Sequence, residues 1–270
     1  MVLKASTLQG RVLRFSTSGA PPDSLQVIRV QGQEAISRPY QFELDLVSPE
    51  KDLDGASILH QPAYLAVKQG VNVAEARQRG ARTLRYLGIV SSFEKGERWS
   101  DWVVYRAILV PRLWRLSTNV RSRIFMDRTV PEIVEEILRE SGFAPAEFRF
   151  RLSARTYPRR EYVVQYQESD LNFISRLLEH EGIFYFFQHE EESEGEKIVF
   201  GDSPSAYEAP SPETEIRYRE QPGGRAATLV SSLPGAAWFD EESILRLRSR
   251  HNSVPQSVLL RDYNYRTPGV

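Results

Sequence analysis

The stretch Tyr157–Phe187, YPRREYVVQYQESDLNFISRLLEHEGIFYFF, sets a strand, a cap, a helix, a stop and a second strand end to end. Tyr162, Val164 and Tyr166 alternate with Val163, Gln165 and Gln167, the period-two signature of a strand. Ser169 or Asp170 then offers a side-chain oxygen to the unpaired amides that open a helix. Leu171, Ile174 and Leu178, with Phe173 and Leu177 beside them, form an apolar stripe at helical spacing. Gly182 supplies the left-handed residue that ends the helix, and Ile183 to Phe187 continue as an apolar, aromatic strand. Tyr162, Gln165, Tyr166, Glu168, Ser169, Asp170, Arg176, Leu177, Glu179 and Gly182 are therefore assigned a structural role. No nucleophile here pairs with a base, and no metal-ligand spacing occurs.

A second helix is announced upstream. Thr129 is an N-cap, Pro131 falls in the first turn, and Glu132 closes a capping box. Ile133, Val134, Ile137 and Leu138 make its buried stripe, and Gly142 ends it. The two helical segments match at an offset of 40 residues. Two helices obeying the same capping rules suffice to explain that match.

Upstream of residue 117 the pattern is all β. Val27, Ile28 and Val30 form a short run, Tyr40, Phe42, Leu44 and Leu46 alternate with polar residues, and Tyr64 to Val67 follow. Leu84 to Val90 and Trp102 to Val110 add two further strands. Pro21-Pro22-Asp23, Ser48-Pro49 and Gly96 punctuate them as turns. The sequence thus predicts a mainly β chain with an α/β insertion. Residues 1–116 form an antiparallel β-barrel, residues 117–205 an α/β domain with two helices, and residues 206–270 the start of a second β-barrel. Too few strands fit after 212 to close that barrel, so a third unit left incomplete, in a chain cut from a longer protein, is expected. The acidic run from His189 to Glu196 reads as a solvated hairpin tip, and the aromatics, Trp99, Trp102, Trp114 and Trp238 included, as packing residues on strands. Arg77, Arg79 and Arg82 lie in a polar hairpin loop open to a partner.

Composition removes several function classes. The chain has 270 residues, 35 Lys plus Arg against 36 Asp plus Glu, and no cysteine. The balance gives no electrostatic reason to expect nucleic acid, and disulfides and thiolate chemistry are excluded. No window approaches the ~20 apolar residues that span a bilayer, so no stable membrane insertion is expected. His60, His180, His189 and His251 are too scattered for a metal site, and no phosphate-cradling loop or G-x-S-x-G elbow occurs. No cofactor is expected. Glu161, Glu168 and Asp170 can be drawn as carboxylates for glycan hydrolysis, but acids at a helix start are favoured by its free amides and dipole.

Tyr157–Phe187 and Leu109–Phe125 (LVPRLWRLSTNVRSRIF, followed by VPEIVEEIL) together resemble the N-terminal region of VgrG proteins, the type VI secretion spike family. The region is also similar to the baseplate hub protein of contractile-tailed phages. VQGQEAISRPYQFELDL, ending at Leu46, and RYLGIV at Arg85–Val90 resemble the same family, collinearly over most of residues 25–265. The resemblance implies two similar barrels separated by α/β segments, in a homotrimer whose barrels dock on a hexameric tube protein. It implies baseplate proteins and effectors as further partners, a needle that this sequence lacks, assembly in the cytoplasm and delivery through the type VI apparatus. It implies no catalysis in this region. The competing expectations are a glycan-cleaving hydrolase using Glu161 and Glu168, and the tail hub of a contractile phage.

Overall fold

The computed structural model describes residues 13–68, 83–189 and 195–208, with short pieces at 217–218, 243–244, 248–253, 255–257 and 259. The chain divides into two compact units, Met1–Thr214 with Ala237–Glu241, and Glu215–Ala236 with Glu242–Val270. In the second unit the described backbone includes one short parallel pair, Arg217–Tyr218 with Ser243–Ile244. Arg77, Arg79, Arg82, Trp238 and most of the expected second barrel lie outside the described residues.

The first unit opens with six strands: β1 (Leu13–Thr17), β2 (Gln26–Ala35), β3 (Arg38–Ser48), β4 (Pro62–Lys68), β5 (Thr83–Trp99) and β6 (Trp102–Val110), with a one-turn helix α1 (Gly55–Ile58) between β3 and β4. They form one antiparallel sheet in the order β1-β4-β5-β6-β3-β2. The sheet curls until its end strands β1 and β2 touch, and among the described residues no ladder joins them. Period two decides the inside. Tyr40, Phe42, Leu44 and Leu46 of β3 are buried while Gln41 and Glu43 are exposed, and Val103, Tyr105, Ala107 and Leu109 of β6 complete the core. Two expectations fail locally. Gly96 lies within β5 rather than at a turn, because register shifts at Val90/Ser92 and Lys95/Arg98 let the strand bend and continue to Trp99. Trp114 sits in a 3-10 turn, Arg112–Ser117, rather than on a strand.

That turn leads into the α/β insertion. β7 (Val120–Arg128) pairs antiparallel with β9 (Arg160–Ser169), and β8 (Phe148–Arg151), β10 (Phe184–His189) and β11 (Glu196–Gly201) form a second sheet in the order β10-β11-β8. Helices α2 (Val130–Glu140) and α3 (Asp170–Glu181) share one core with Phe125 and Val163 of the ribbon and Phe148, Tyr185, Ile198 and Phe200 of the sheet. Leu113 and Leu116 of the 3-10 turn already belong to this core.

The offset of 40 reaches beyond the helices. Thr129 and Ser169 are both N-caps, and Gly142 and Gly182 both turn left-handed, at φ 82° and 70°. Asp127 and Gln167 also share a left-handed backbone, at φ 50° and 49°. No capping rule asks for a positive φ two residues before an N-cap, and non-glycine residues adopt one only under local constraint. A repeated strand–helix–strand unit accounts for the match better than shared helix rules do, and the two first strands of the repeat, β7 and β9, pair with each other.

Candidate functional site

The stretch singled out from sequence forms a polar knot where β9 hands over to α3. Ser169 caps the helix by accepting from the Asn172 amide at 3.2 Å. Asp170 is not the cap. It is fully buried, accepts from Arg123 Nη2 and Gln165 Nε2 at 2.9 Å each, and has Arg121 Nε at 3.6 Å. Gln165, also buried, accepts from Arg123 Nε at 2.7 Å and donates its second N–H to the Glu168 carbonyl at 3.0 Å. Glu168 accepts from Arg176 Nε and Nη2, and Arg176 also donates to the Val164 carbonyl. Leu177 is buried in the core, Glu179 is exposed and lends only its carbonyl, to the Gly182 amide, and Tyr162 and Tyr166 are 57% and 70% exposed. The buried polar groups of the knot are hydrogen-bonded to other parts of the scaffold, except Asp170 Oδ2, which has the Arg121 guanidinium at 3.6 Å and no hydrogen-bond donor.

Glu161 and Glu168 do not converge. They stand seven residues apart along β9, on the order of 20 Å at strand rise, whereas glycosidases hold their carboxyls within about 10 Å. Among the described residues no cluster of acids and histidines is arranged to hold a metal ion.

A second polar site, unannounced in the sequence, fastens the insertion to the six-stranded sheet. The tip of the β2–β3 hairpin docks on the free edge of β10, the Ser37 amide donating to the Tyr185 carbonyl at 2.8 Å. The Leu87 amide donates to His189 Nδ1 at 3.4 Å, and the Arg112 amide to Glu196 Oε1 at 2.5 Å. Glu196 Oε2 lies 2.6 Å from the Tyr40 hydroxyl, which also hydrogen-bonds the Leu87 carbonyl. Phe187 packs edge-on against Tyr40, at 5.2 Å, and touches both cores. Gly88 is required here, since a Cβ would stand 2.1 Å from the Val110 carbonyl oxygen and 2.9 Å from the Tyr40 hydroxyl. A cleft of about 500 Å³ opens over Glu196, with His60, Tyr64, Arg115 and Glu147 on its walls.

Burial governs the electrostatics of this junction. It pushes the Glu196 carboxyl up to about 8 and the His189 imidazole down to about 4. The expectation that the acidic run is solvated therefore fails at both ends. His189 and Glu196 face each other across the β10–β11 ladder and turn inward against Tyr40, while residues 190–194 lie outside the described residues. The one local signal was Glu196 opening the apolar run Ile198 to Phe200; Tyr40, 156 positions away, carried none.

The family profile described as phage tail baseplate hub (GPD) matches residues 33–270. The type VI secretion system spike protein VgrG5 of Pseudomonas aeruginosa is 35% identical over 257 residues, covering 89% of this chain and 30% of its own length. VgrG4b of the same organism is 38% identical, with 90% and 26% covered. The actin cross-linking toxin VgrG1 of Vibrio cholerae is 30% identical, with 94% and 21% covered. The chain thus spans about a third or less of the length of these relatives. Among solved structures, the E. coli c3393 protein, described as a type VI secretion component similar to the T4 tail proteins gp27 and gp5, matches at TM-score 0.63 and 31% identity, covering 73% of this chain and 51% of that one.

Proposed function

Because this chain belongs to the phage tail baseplate hub family, we propose that it is the hub portion of a type VI secretion spike, a structural part that docks on the hexameric tube protein and takes no part in catalysis. The observation that carries this reading is the collinear match of nine-tenths of the chain to spike proteins at 35% and 38% identity. The physical support lies in how the polar residues are used. The Arg123–Gln165–Asp170 knot and the Tyr40–Glu196 junction hold elements at fixed angles, as a part under axial load requires.

In this reading residues 1–116 dock on the tube, residues 117–205 brace that barrel, and residues from 206 onward begin a second barrel. Three copies form a ring matched to the tube's sixfold end, and the longer protein carries the needle and effectors. It assembles in the cytoplasm and leaves through the type VI apparatus. Among the described residues no helix is long and apolar enough to cross a membrane. Interfaces of this kind bury on the order of 1,000 Å² or more.

Arg77, Arg79 and Arg82 are the proposed contact with the tube. Co-purification of the full-length protein with its tube protein tests both levels of the proposal. Retention by the parent and weaker retention after charge reversal of the three arginines are expected. Unchanged retention in the variant overturns the contact, and no retention by the parent overturns the hub reading.

A further inference from the structure

The protons at the junction do not balance if every group there is in its ordinary state. The Tyr40 hydroxyl has one proton and two oxygen neighbours, the Leu87 carbonyl and Glu196 Oε2 at 2.6 Å. A carbonyl cannot donate, so both contacts are hydrogen bonds at once only when the hydroxyl proton goes to Leu87 and Oε2 donates a proton of its own to the Tyr40 oxygen. With a carboxylate there, one proton would have to serve two acceptors, and one of the two contacts would set lone pair against lone pair. The other carboxyl oxygen, Oε1, already accepts from the Arg112 amide. A proton on Oε2 satisfies both contacts.

We propose that Glu196 is held as a neutral carboxylic acid donating to Tyr40, and that this proton is the latch fastening the six-stranded sheet to the α/β insertion, so that the junction loosens when alkali removes it. The surroundings agree. From β3 Glu196 meets the Tyr40 hydroxyl, and from β5 the Leu87 backbone, with Tyr86 behind it against His189. From β10 it faces His189, which burial keeps uncharged and whose Nδ1 is occupied as an acceptor. Glu34 of β2 acts on Tyr40 at longer range. Arg112 presents its backbone amide to Glu196, while its guanidinium is taken by Glu147 and the Gly142 carbonyl. Burial and then the Glu147 charge disfavour ionisation, and they outweigh the Tyr40 bond and the Arg112 amide and charge, which favour it. Arg115 and His60 stand on the cleft wall. The neighbouring Lys197 belongs to the opposite face of β11 by strand alternation.

The sign follows from linkage. Between the ordinary value of 4.5 and about 8 the folded chain keeps a proton that the unfolded chain releases, so stability falls as pH rises through this window and levels off above it. Glu196→Gln separates the latch from its titration. Its amide N–H can donate to Tyr40 and its carbonyl can accept from Arg112, yet it does not ionise. Thermal unfolding of parent and variant is compared from about pH 5 to about pH 9. The parent Tm is expected to fall toward alkaline pH relative to the variant, and amides of β10 and the β2–β3 turn to exchange faster in the parent at the alkaline end. Infrared spectra of the folded parent at neutral pH are expected to contain a protonated-carboxyl band absent from the variant. Equal pH slopes in parent and variant, or no such band in the parent, overturn the proposal. The infrared measurement decides it even if the variant does not fold. None of these readouts depends on binding to a tube.

Discussion

At the scale of single residues, burial separates ion pairs that matter from those that do not. Asp170 is buried against two arginines and Gln165, so Asp170→Ala removes the buried acceptor of Arg123 and Gln165, leaves Arg123 paired with Glu140, and is expected to cost about 1–3 kcal/mol in urea unfolding. Glu168 pairs with Arg176, whose side chain is 49% exposed, and Glu168→Gln is expected to cost less than about 1 kcal/mol. His189 gives a pH-dependent case. Burial lowers it from 6.5 to about 4, so the stability it contributes is present above 6.5 and lost as pH falls toward 4. His189→Gln keeps an acceptor for the Leu87 amide, and its acid unfolding midpoint is expected at lower pH than the parent's; an unchanged midpoint would remove His189 from the acid response. The sequence allowed Ser169 or Asp170 as the cap, because either side chain can accept from a helix amide. Only Arg121 and Arg123, arriving from β7, decide that Asp170 is spent on charge and Ser169 on the cap.

At the scale of elements, what is local is what can be read. The capping box at Thr129, the stop at Gly182 and the bounds of β6 follow from neighbours within a few positions, and the structure agrees with each. Which face of β9 turns inward does not follow. Tyr162, Val164 and Tyr166 form its apolar row, yet that row lies on the outer face beside Ile124 and Met126, while Gln165 is buried. Alternation states that two faces differ and is silent on which one a partner covers, and here the knot around Asp170 holds Gln165 inside. The repeated unit makes a paired prediction. Thr129→Ala and Ser169→Ala are each expected to cost about 1 kcal/mol in thermal unfolding. Gly142→Ala and Gly182→Ala are each expected to cost about 1–2 kcal/mol, because both need a left-handed backbone. Unequal costs within a pair would show that the two halves carry different loads.

At the scale of the whole chain, the described part of the first unit has two cores, one under the curled sheet and one around α2 and α3, joined through Phe187, the Ser37–Tyr185 contact and Glu196. That joint was hidden from sequence reasoning because Tyr40 and Glu196 are 156 positions apart and belong to different sheets. The family was legible because its marks are runs such as RYLGIV and YVVQYQESDLNFISRLLEHEGIFYF, each specified by its own strand and helix chemistry. The polar residues of both sites join elements, as the proposed hub role requires. The most direct test is electron cryo-microscopy of the full-length protein bound to rings of its tube protein. The six-stranded sheet is expected seated against the end of the ring, with the insertion behind it in the orientation fixed by Tyr40 and Glu196. A ring bound elsewhere with the sheet facing solvent, or a glycan held between Glu161 and Glu168, would contradict it.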